Sequence, residues 1–373
     1  MSADLPTVWN AEPHTIAKIE MLKCYLRQWF TILGSKFSGK DLWYVDGFAG
    51  PGEYTNYDEG SPVAALAAAA SAFDAHTSWR ARNIHCFFIE EDAARFQNLQ
   101  RKLSEVAMHS RIHRHLFHGS FVDGVAWLRG NPINPFTQTA PVFAFIDPFG
   151  PTGLSFNAVQ SFLSNPSCEV LVNLDSDGID RIYKAGEHAK SSAHLNDVYG
   201  TSEWEAALAS GGRQQAIQNV LSLYKKRLRE IPGINYAFAF EMRKKHDQFD
   251  YHLVFASGHP LGLEKMKEAM KSIDKTGAYC FSDSYQGQQH LFTFDDPSDH
   301  AAVLAQRFSG RRVRYREVND FSLNDTPFLN PKKMLKLLED KGAITVESVK
   351  PRRAGQYPET AQDGMWISFV GGT

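Results

Sequence analysis

Leu42-Trp43-Tyr44-Val45-Asp46-Gly47-Phe48-Ala49-Gly50-Pro51-Gly52 is a short apolar run that ends in an aspartate and a glycine-rich turn. Four apolar residues are too few for a helix, and they suit a strand buried on both faces, as in a parallel sheet. In an open sheet of that kind ligands lie outside the carboxyl ends of the strands. The turn is suited to such a ligand: its glycines let the backbone come close and expose amide N–H groups, and Asp46 can receive an ammonium. A phosphate-binding Walker loop would need Gly-Lys-Ser/Thr, which is absent, and a dinucleotide loop would run straight into its helix. Here a polar stretch, Glu53 to Gly60, intervenes before Ser61-Pro62 starts an alanine-rich helix reaching about Phe73.

Working outward, Ile16 to Leu33 carries apolar residues at helical spacing, with Gly34 as its expected stop. Downstream, apolar strands recur. Ile84 to Ile89 precedes Glu90-Glu91-Asp92 and a helix from Ala93 to about Val106, and Arg111 to Phe117 leads to His118-Gly119-Ser120. Val142 to Ile146 delivers Asp147-Pro148-Phe149-Gly150, and Glu169 to Leu174 is a fifth strand. This alternation predicts an α/β fold with a doubly wound parallel sheet. Asn235 to Met242 and Tyr251 to Ala256 are separated only by Arg243–Asp250, too short for a crossover, so the last pair is expected to be antiparallel. A Rossmann-like methyltransferase sheet finishes in that way and a plain dinucleotide-binding sheet does not. The polar stretch 175–212 reads as a lid or substrate insertion. The expected organisation is a sheet domain over residues 1–276 and a winged-helix-like α+β module over 277–373, with a helix at 300–308, a strand at 313–318, a helix at 331–341 and a basic wing at 350–363.

The chain has 373 residues, of which 43% are apolar, 22% charged and 12% aromatic, enough to pack a core unaided. A formal net charge of −2 exerts no global pull on polyanions, so nucleic acid would have to be held by a local basic patch. Cys24, Cys86, Cys168 and Cys280 form no Cys-x-x-Cys pair, which argues against a zinc ribbon and a disulfide framework and favours the cytoplasm. The start Met1-Ser2-Ala3-Asp4-Leu5-Pro6 shows no leader pattern, and no run approaches membrane-spanning length, so no membrane role is expected.

The chemistry should lie just after the strands. Asp46, Gly47, Phe48, Ala49, Gly50 and Gly52 suit the ammonium and carboxylate of S-adenosylmethionine, which has no phosphate. Glu90, at the end of the second strand, can accept both ribose hydroxyls. Ser120 and Phe121 follow the third strand, where the adenine edge is usually met. Asp147, Pro148 and Phe149 form an acceptor, a fixed proline and an aromatic that suit an amino group flipped into a pocket, with Asp147 and the Pro148 carbonyl taking its N–H bonds and Phe149 stacking on the base. The plain alternatives are a strand-to-helix turn, a solvated helix-start charge and an Asp-Pro turn. His113 and His115 share one strand face and His118 the other, so a polar face is favoured over a metal site, and none is expected. His14, Lys18 and Glu20 open the first helix and could close over the cofactor from outside, though such residues are more often solvated surface. Arg312, Arg314 and Arg316 alternate and either track a phosphate backbone or protect an edge strand. Lys332, Lys333 and Lys336, with Lys350, Arg352 and Arg353 in the wing, favour nucleic acid.

With these residues in place the chain resembles the three-Cys-motif partner protein family, over about His14 to Phe369. The matching marks are His14-Thr15, Lys18 and Glu20-Met21-Leu22; Tyr44 to Gly52; Gly60-Ser61-Pro62; Phe145 to Gly150; and Tyr251 to Ser257. The resemblance implies a class I methyltransferase fold, an adenosylmethionine site and a neighbour-encoded partner carrying three cysteines. Ile19 stands where the pattern has a histidine, which weakens a role for the first helix. Phe149-Gly150 replaces the Pro-Tyr or Pro-Phe of base-amino methyltransferases. Three functions follow as expectations: methylation of an amino group of DNA or RNA, a non-enzymatic partner that binds nucleic acid or its neighbour protein, and a protein or small-molecule methyltransferase.

Overall fold

The computed structural model describes residues 6–75, 78–150, 153–175, 188–209, 211–274, 278–285, 296–358 and 362–371. Contacts divide the chain into two compact units, Met1–Ile273 with Cys280–Gly287 and Asp274–Tyr279 with Gln288–Thr373.

The first unit is built on an eight-stranded sheet. Its strands are β1 (Leu42–Asp46), β2 (Ile84–Glu90), β3 (Ile112–His118), β4 (Val142–Ile146), β5 (Cys168–Leu174), β6 (Tyr236–Arg243), β7 (Phe249–Ser257) and β8 (Cys280–Ser282), in the spatial order β3-β2-β1-β4-β5-β7-β6-β8. All pairings are parallel except those of β7, which runs antiparallel to both β5 and β6. Every residue of β1, β2, β4 and β5 is buried, as expected for strands covered on both faces. The strand order reverses between β1 and β4, so the ends of these two strands open the crevice in which an open sheet binds its ligand. This is a Rossmann-like sheet of the methyltransferase type, with β7 reversed between β5 and β6 and with β8 added at the edge beyond β6.

The helices of this unit are α1 (Pro13–Lys36), α2 (Ser61–Asp74), α3 (Ala93–Ser104), α4 (Phe121–Gly130), α5 (Phe156–Leu163), α6 (His188–Tyr199), α7 (Trp204–Ala209), α8 (Arg213–Arg229) and α9 (Pro260–Ile273). Gly34 does not end α1. It lies within the helix, where a Cβ would fall 2.3 Å from the Trp79 ring, so the glycine serves close packing. The stretch expected as a polar lid differs too: residues 188–209 form α6 and α7, and Leu195, Val198, Tyr199, Trp204 and Leu208 enter the main core. Their helical spacing is interrupted by polar residues, which hides it in a plain hydropathy reading. Residues 176–187 of that expected lid lie outside the described residues. Cys280–Ser282, assigned above to the second module, instead extends the large sheet beside β6.

The second unit contains α10 (Pro297–Arg307), β9 (Arg312–Arg314), α11 (Tyr315–Asp325), α12 (Lys332–Asp340), β10 (Ile344–Ser348) and β11 (Met365–Phe369). Its three strands pair antiparallel in the order β10-β11-β9 over a core that includes Leu304, Val318, Leu335 and Ile367. The strand expected over 313–318 stops at Arg314. From Tyr315 the chain is helical, because Tyr315, Val318 and Ser322 are buried at helical spacing and the Glu317 carboxylate accepts the Arg314 backbone N–H at 3.4 Å. Arg316 therefore sits on a helix and shares no strand face with Arg312 and Arg314. Among the described residues no helix is long and apolar enough to cross a membrane.

Candidate active site

Three strand ends supply the site. At the end of β1, Asp46 is fully buried and accepts bonds from the Tyr44 hydroxyl at 3.1 Å and the Phe48 N–H at 3.3 Å. Burial pushes its carboxyl up to about 7, nearby Asp147 adds to that, and the bonds from Ser61, Phe48 and Tyr44 oppose it. The following turn is laced to both neighbouring strands, Gly47 N–H to the Phe145 carbonyl at 2.8 Å and Ala49 N–H to the Ile89 carbonyl at 2.9 Å. Gly50 and Gly52 take left-handed φ values of 63° and 82°. Gly60 N–H bonds the Gly52 carbonyl at 2.9 Å, and a Cβ on Gly60 would fall 2.6 Å from the Gly52 carbonyl carbon. The Gly60-Ser61-Pro62 segment thus braces the turn from behind.

At the end of β2, Glu90 is 5% exposed and grips two backbone amides, Gly50 N–H at 2.8 Å through one oxygen and Asp92 N–H at 2.8 Å through the other. Burial raises its carboxyl above the usual range, partly offset by those two bonds. A cleft of about 620 Å³ opens here, lined among others by Gly47, Phe48, Glu90, Arg95, Gly119, Phe121 and Phe149. Of the expected cofactor residues, Gly47, Phe48, Glu90 and Phe121 line this cleft, and Asp46, Ala49, Gly50, Gly52, Ser120 and Asp147 do not. The Ser120 hydroxyl caps α4: it accepts the Asp123 N–H at 3.2 Å and donates to the Asp123 carboxylate at 2.6 Å. The third strand therefore meets the cleft through Gly119 and Phe121, and Phe121 packs on Phe48 at 5.5 Å between ring centroids.

At the end of β4, beside β1 in the sheet, Asp147 has both oxygens engaged. Lys18 Nζ donates to one at 2.5 Å, and Asn173 Nδ2, at the end of β5, to the other at 2.7 Å. Lys18 is buried and stands 5.2 Å from the centre of the Tyr251 ring. The Tyr251 hydroxyl and Asn173 Oδ1 are buried and have no hydrogen-bond partner among the described residues, so two polar groups near Asp147 are left unsatisfied there. Phe149 is 47% exposed and meets Trp9 edge-on at 5.4 Å, with the Arg95 guanidinium 4.8 Å from its ring centre. Phe149 thus belongs to the cleft mouth while Asp147 points inward under α1.

For His14 and Lys18, though not for the exposed Glu20, the solvated-surface reading is corrected by these contacts. His14 and Lys18 are 7% and 8% exposed, one bonded to Asp283 and the other to Asp147. The departure at Ile19 does not remove α1 from the site, because Lys18 reaches it alone. The missed signal was that His14 and Lys18, four residues apart, share the face that carries the buried Leu22, Tyr25 and Trp29. The histidines of β3 join a histidine-rich face with β2: His85 and His115 stack on each other and on Trp43, His113 tilts against His85, and His85 is driven down to about 4 mainly by burial.

In the second unit Arg312, Arg314, Arg316, Lys333, Lys336, Lys350 and Arg353 are exposed and Lys332 is half-buried. Arg312 pairs with Glu347 at 2.7 Å, and its guanidinium and that of Arg314 lie 4.4 and 5.1 Å from the Trp366 ring. Arg352 departs from the expected set. It is paired with Glu339, whose carboxylate also takes the Gly355 N–H and the Tyr357 hydroxyl, so this arginine holds the 350–358 loop to α12.

No family model matches the chain, and no curated protein matches it. Solved structures do. The O-methyltransferase from Bacillus cereus in complex with SAH is 11% identical, with 63% of this chain and 79% of that one covered at a TM-score of 0.34. The O-methyltransferase TomG from Streptomyces achromogenes, in complex with SAM, is 11% identical over 66% of this chain and 90% of its own at a TM-score of 0.31. A Porphyromonas gingivalis W83 protein, 10% identical with a TM-score of 0.27 over 61% of this chain, is spanned over only 39% of its length. The fold itself rests on the strand order and directions described above.

Proposed function

We propose that the protein is an S-adenosylmethionine-dependent methyltransferase that acts on an amino group of a nucleic-acid base. The observation that supports this best is the adjacency of two loaded strand ends, Asp46 on β1 and Asp147 on β4, at the point where the sheet reverses. The residues fit the cofactor. Each oxygen of Glu90 takes one backbone N–H and keeps a free lone pair for a ribose hydroxyl. Asp46 is a buried carboxyl whose partners are all neutral, so an ammonium would relieve its burial. Beside them a Cβ on Gly50 would meet nothing within 4 Å, so the backbone there is open to approach. When bound, adenosylmethionine supplies an electrophilic methyl group.

The chain's own residues have to position the acceptor. Asp147 and the Pro148 carbonyl would take the two N–H bonds of an amino group and leave its lone pair directed at the methyl, while Phe149 offers a ring face at the mouth. Such alignment supplies most of the acceleration without a strong base. The acceptor has to take over the Lys18 contact on Asp147, and the open Tyr251 hydroxyl and Asn173 Oδ1 are there to hold it. In this reading the second unit is a winged-helix-like module whose exposed Arg314, Arg316, Lys333, Lys336 and Arg353 hold DNA or RNA by its phosphates, in the cytoplasm. Calorimetry with adenosylmethionine and its demethylated product, followed by transfer of radiolabelled methyl to total nucleic acid and total protein with and without the neighbour-encoded three-Cys-motif protein, tests it. Absence of heat for both ligands, with Asp46→Ala changing nothing, overturns it.

One observation favours a second reading. Both oxygens of Asp147 already have protein partners, as befits a structural tie in a non-enzymatic protein that binds nucleic acid or its neighbour. That reading predicts that Asp147→Ala leaves the biological phenotype intact, whereas charge reversal at Arg312 and Arg314 abolishes it.

A further inference from the structure

We propose that Glu12, His14 and Asp283 form a site for a divalent transition-metal cation of the zinc type, at the start of α1 and the end of β8. The three residues come from segments about 270 positions apart, and the fold brings one ligand atom of each within 4.8 Å of the others. His14 Nδ1 lies 2.9 Å from an oxygen of Asp283 and 3.5 Å from an oxygen of Glu12. Ligands bound about 2.0–2.2 Å from one ion, at tetrahedral to octahedral angles, stand about 2.8–3.6 Å from one another, so both separations suit a shared ion. One imidazole and two carboxylates are the mixed nitrogen and oxygen set that zinc accepts, with room left for water.

Two further observations point to a cation. The Asp283 side chain is 2% exposed, and among the described residues its only hydrogen-bond partner is His14 and its second, buried oxygen has none. A buried carboxylate with an open oxygen calls for a positive partner. The other face of the imidazole is arranged as metal-binding histidines commonly are: Nε2 faces a carboxylate oxygen of Asp250 at 3.7 Å, and Lys244 holds the other oxygen of Asp250 at 2.7 Å. A proton on Nε2, turned toward Asp250, leaves the Nδ1 lone pair for the ion. Bound there, the ion fastens the first turn of α1 to the end of β8 and steadies Lys18, one turn on, against Asp147. The site stands independently of the methyl-transfer reading.

The test is equilibrium dialysis of the full chain against Zn²⁺ with metal counting by mass spectrometry, alongside competition with a chromophoric chelator. One ion per chain is expected to depend on these side chains, with Asp283→Asn and His14→Ala each weakening binding tenfold or more and Asp250→Asn weakening it about tenfold without changing the stoichiometry. Glu12 is exposed, so Glu12→Gln leaves folding intact and still has to weaken binding about tenfold, which keeps the test decisive if the buried variants fail to fold. No bound zinc, or zinc that Glu12→Gln leaves unchanged, reduces the cluster to a His14–Asp283 hydrogen bond and overturns the proposal.

Discussion

Asp46→Asn should change the pH dependence of stability more than stability itself. In the folded chain the Asp46 carboxyl is pushed up from 3.8 to about 7 by complete burial, so between those values the folded state holds a proton that the unfolded state has lost. Stability then falls as pH rises through that window, and above about 7 the full cost of an ionised buried carboxylate is present. The shift of about 3 units corresponds to about 4 kcal/mol across the window. Asparagine does not titrate and still offers an oxygen to the Phe48 N–H. The difference in unfolding free energy between the variant and the wild type should therefore move by about 4 kcal/mol in favour of the variant from pH 4 to pH 8. Urea titrations followed by tryptophan fluorescence at steps across that range measure the difference, in which the titrations of other groups cancel. An amino-bearing ligand at Asp46 should oppose the trend, so the affinity for the demethylated cofactor should rise with pH through 7 in the wild type and stay level in the variant. A pH-independent difference would show that Asp46 titrates at its ordinary value and refute the argument from burial.

Three further perturbations test the other parts of the site. Lys18→Met strands the Asp147 carboxylate with Asn173 as its sole described partner and should cost about 3 kcal/mol in chemical denaturation, whereas Lys18→Arg should recover most of it. Glu90→Gln replaces an acceptor of two backbone amides with a group that can serve only one through its oxygen. Binding of the demethylated cofactor should weaken about 10–100-fold by calorimetry, and the amide left unsatisfied should cost about 1–3 kcal/mol of stability. Arg352→Ala should destabilise the second unit by about 3 kcal/mol, because it leaves the Glu339 carboxylate without its cation, yet leave the salt dependence of any polynucleotide binding unchanged. Lys333→Ala should do the reverse, lowering the slope of log affinity against log salt by about 1.

Much of this architecture was readable in one dimension. Strands β1, β2, β4 and β5 announce themselves as apolar runs of strand length, and the short connection after Met242 implies the antiparallel last pair. Asp46, Glu90 and Asp147 follow from their places at strand ends. Local misreadings arose where two periodicities overlap. Arg311 to Arg316 alternates like a strand, but Tyr315, Val318 and Ser322 also repeat like a helix, and burial on the second unit's core favours the helix. In 188–209 the polar residues masked an apolar stripe that the main core required.

What the chain alone determined is which segments of the first unit form the strands from β1 to β7, how they are wound and which carboxylates stand at their ends, because those follow from periodicity over a few neighbouring residues. Which charges meet was decided by the tertiary structure. Lys18 reaches Asp147 across 129 positions and His14 reaches Asp283 across 269, since a buried charge takes its partner from whatever the packed elements bring within about 3 Å. Residues that look like helix surface in the sequence thereby become the inner wall of a site.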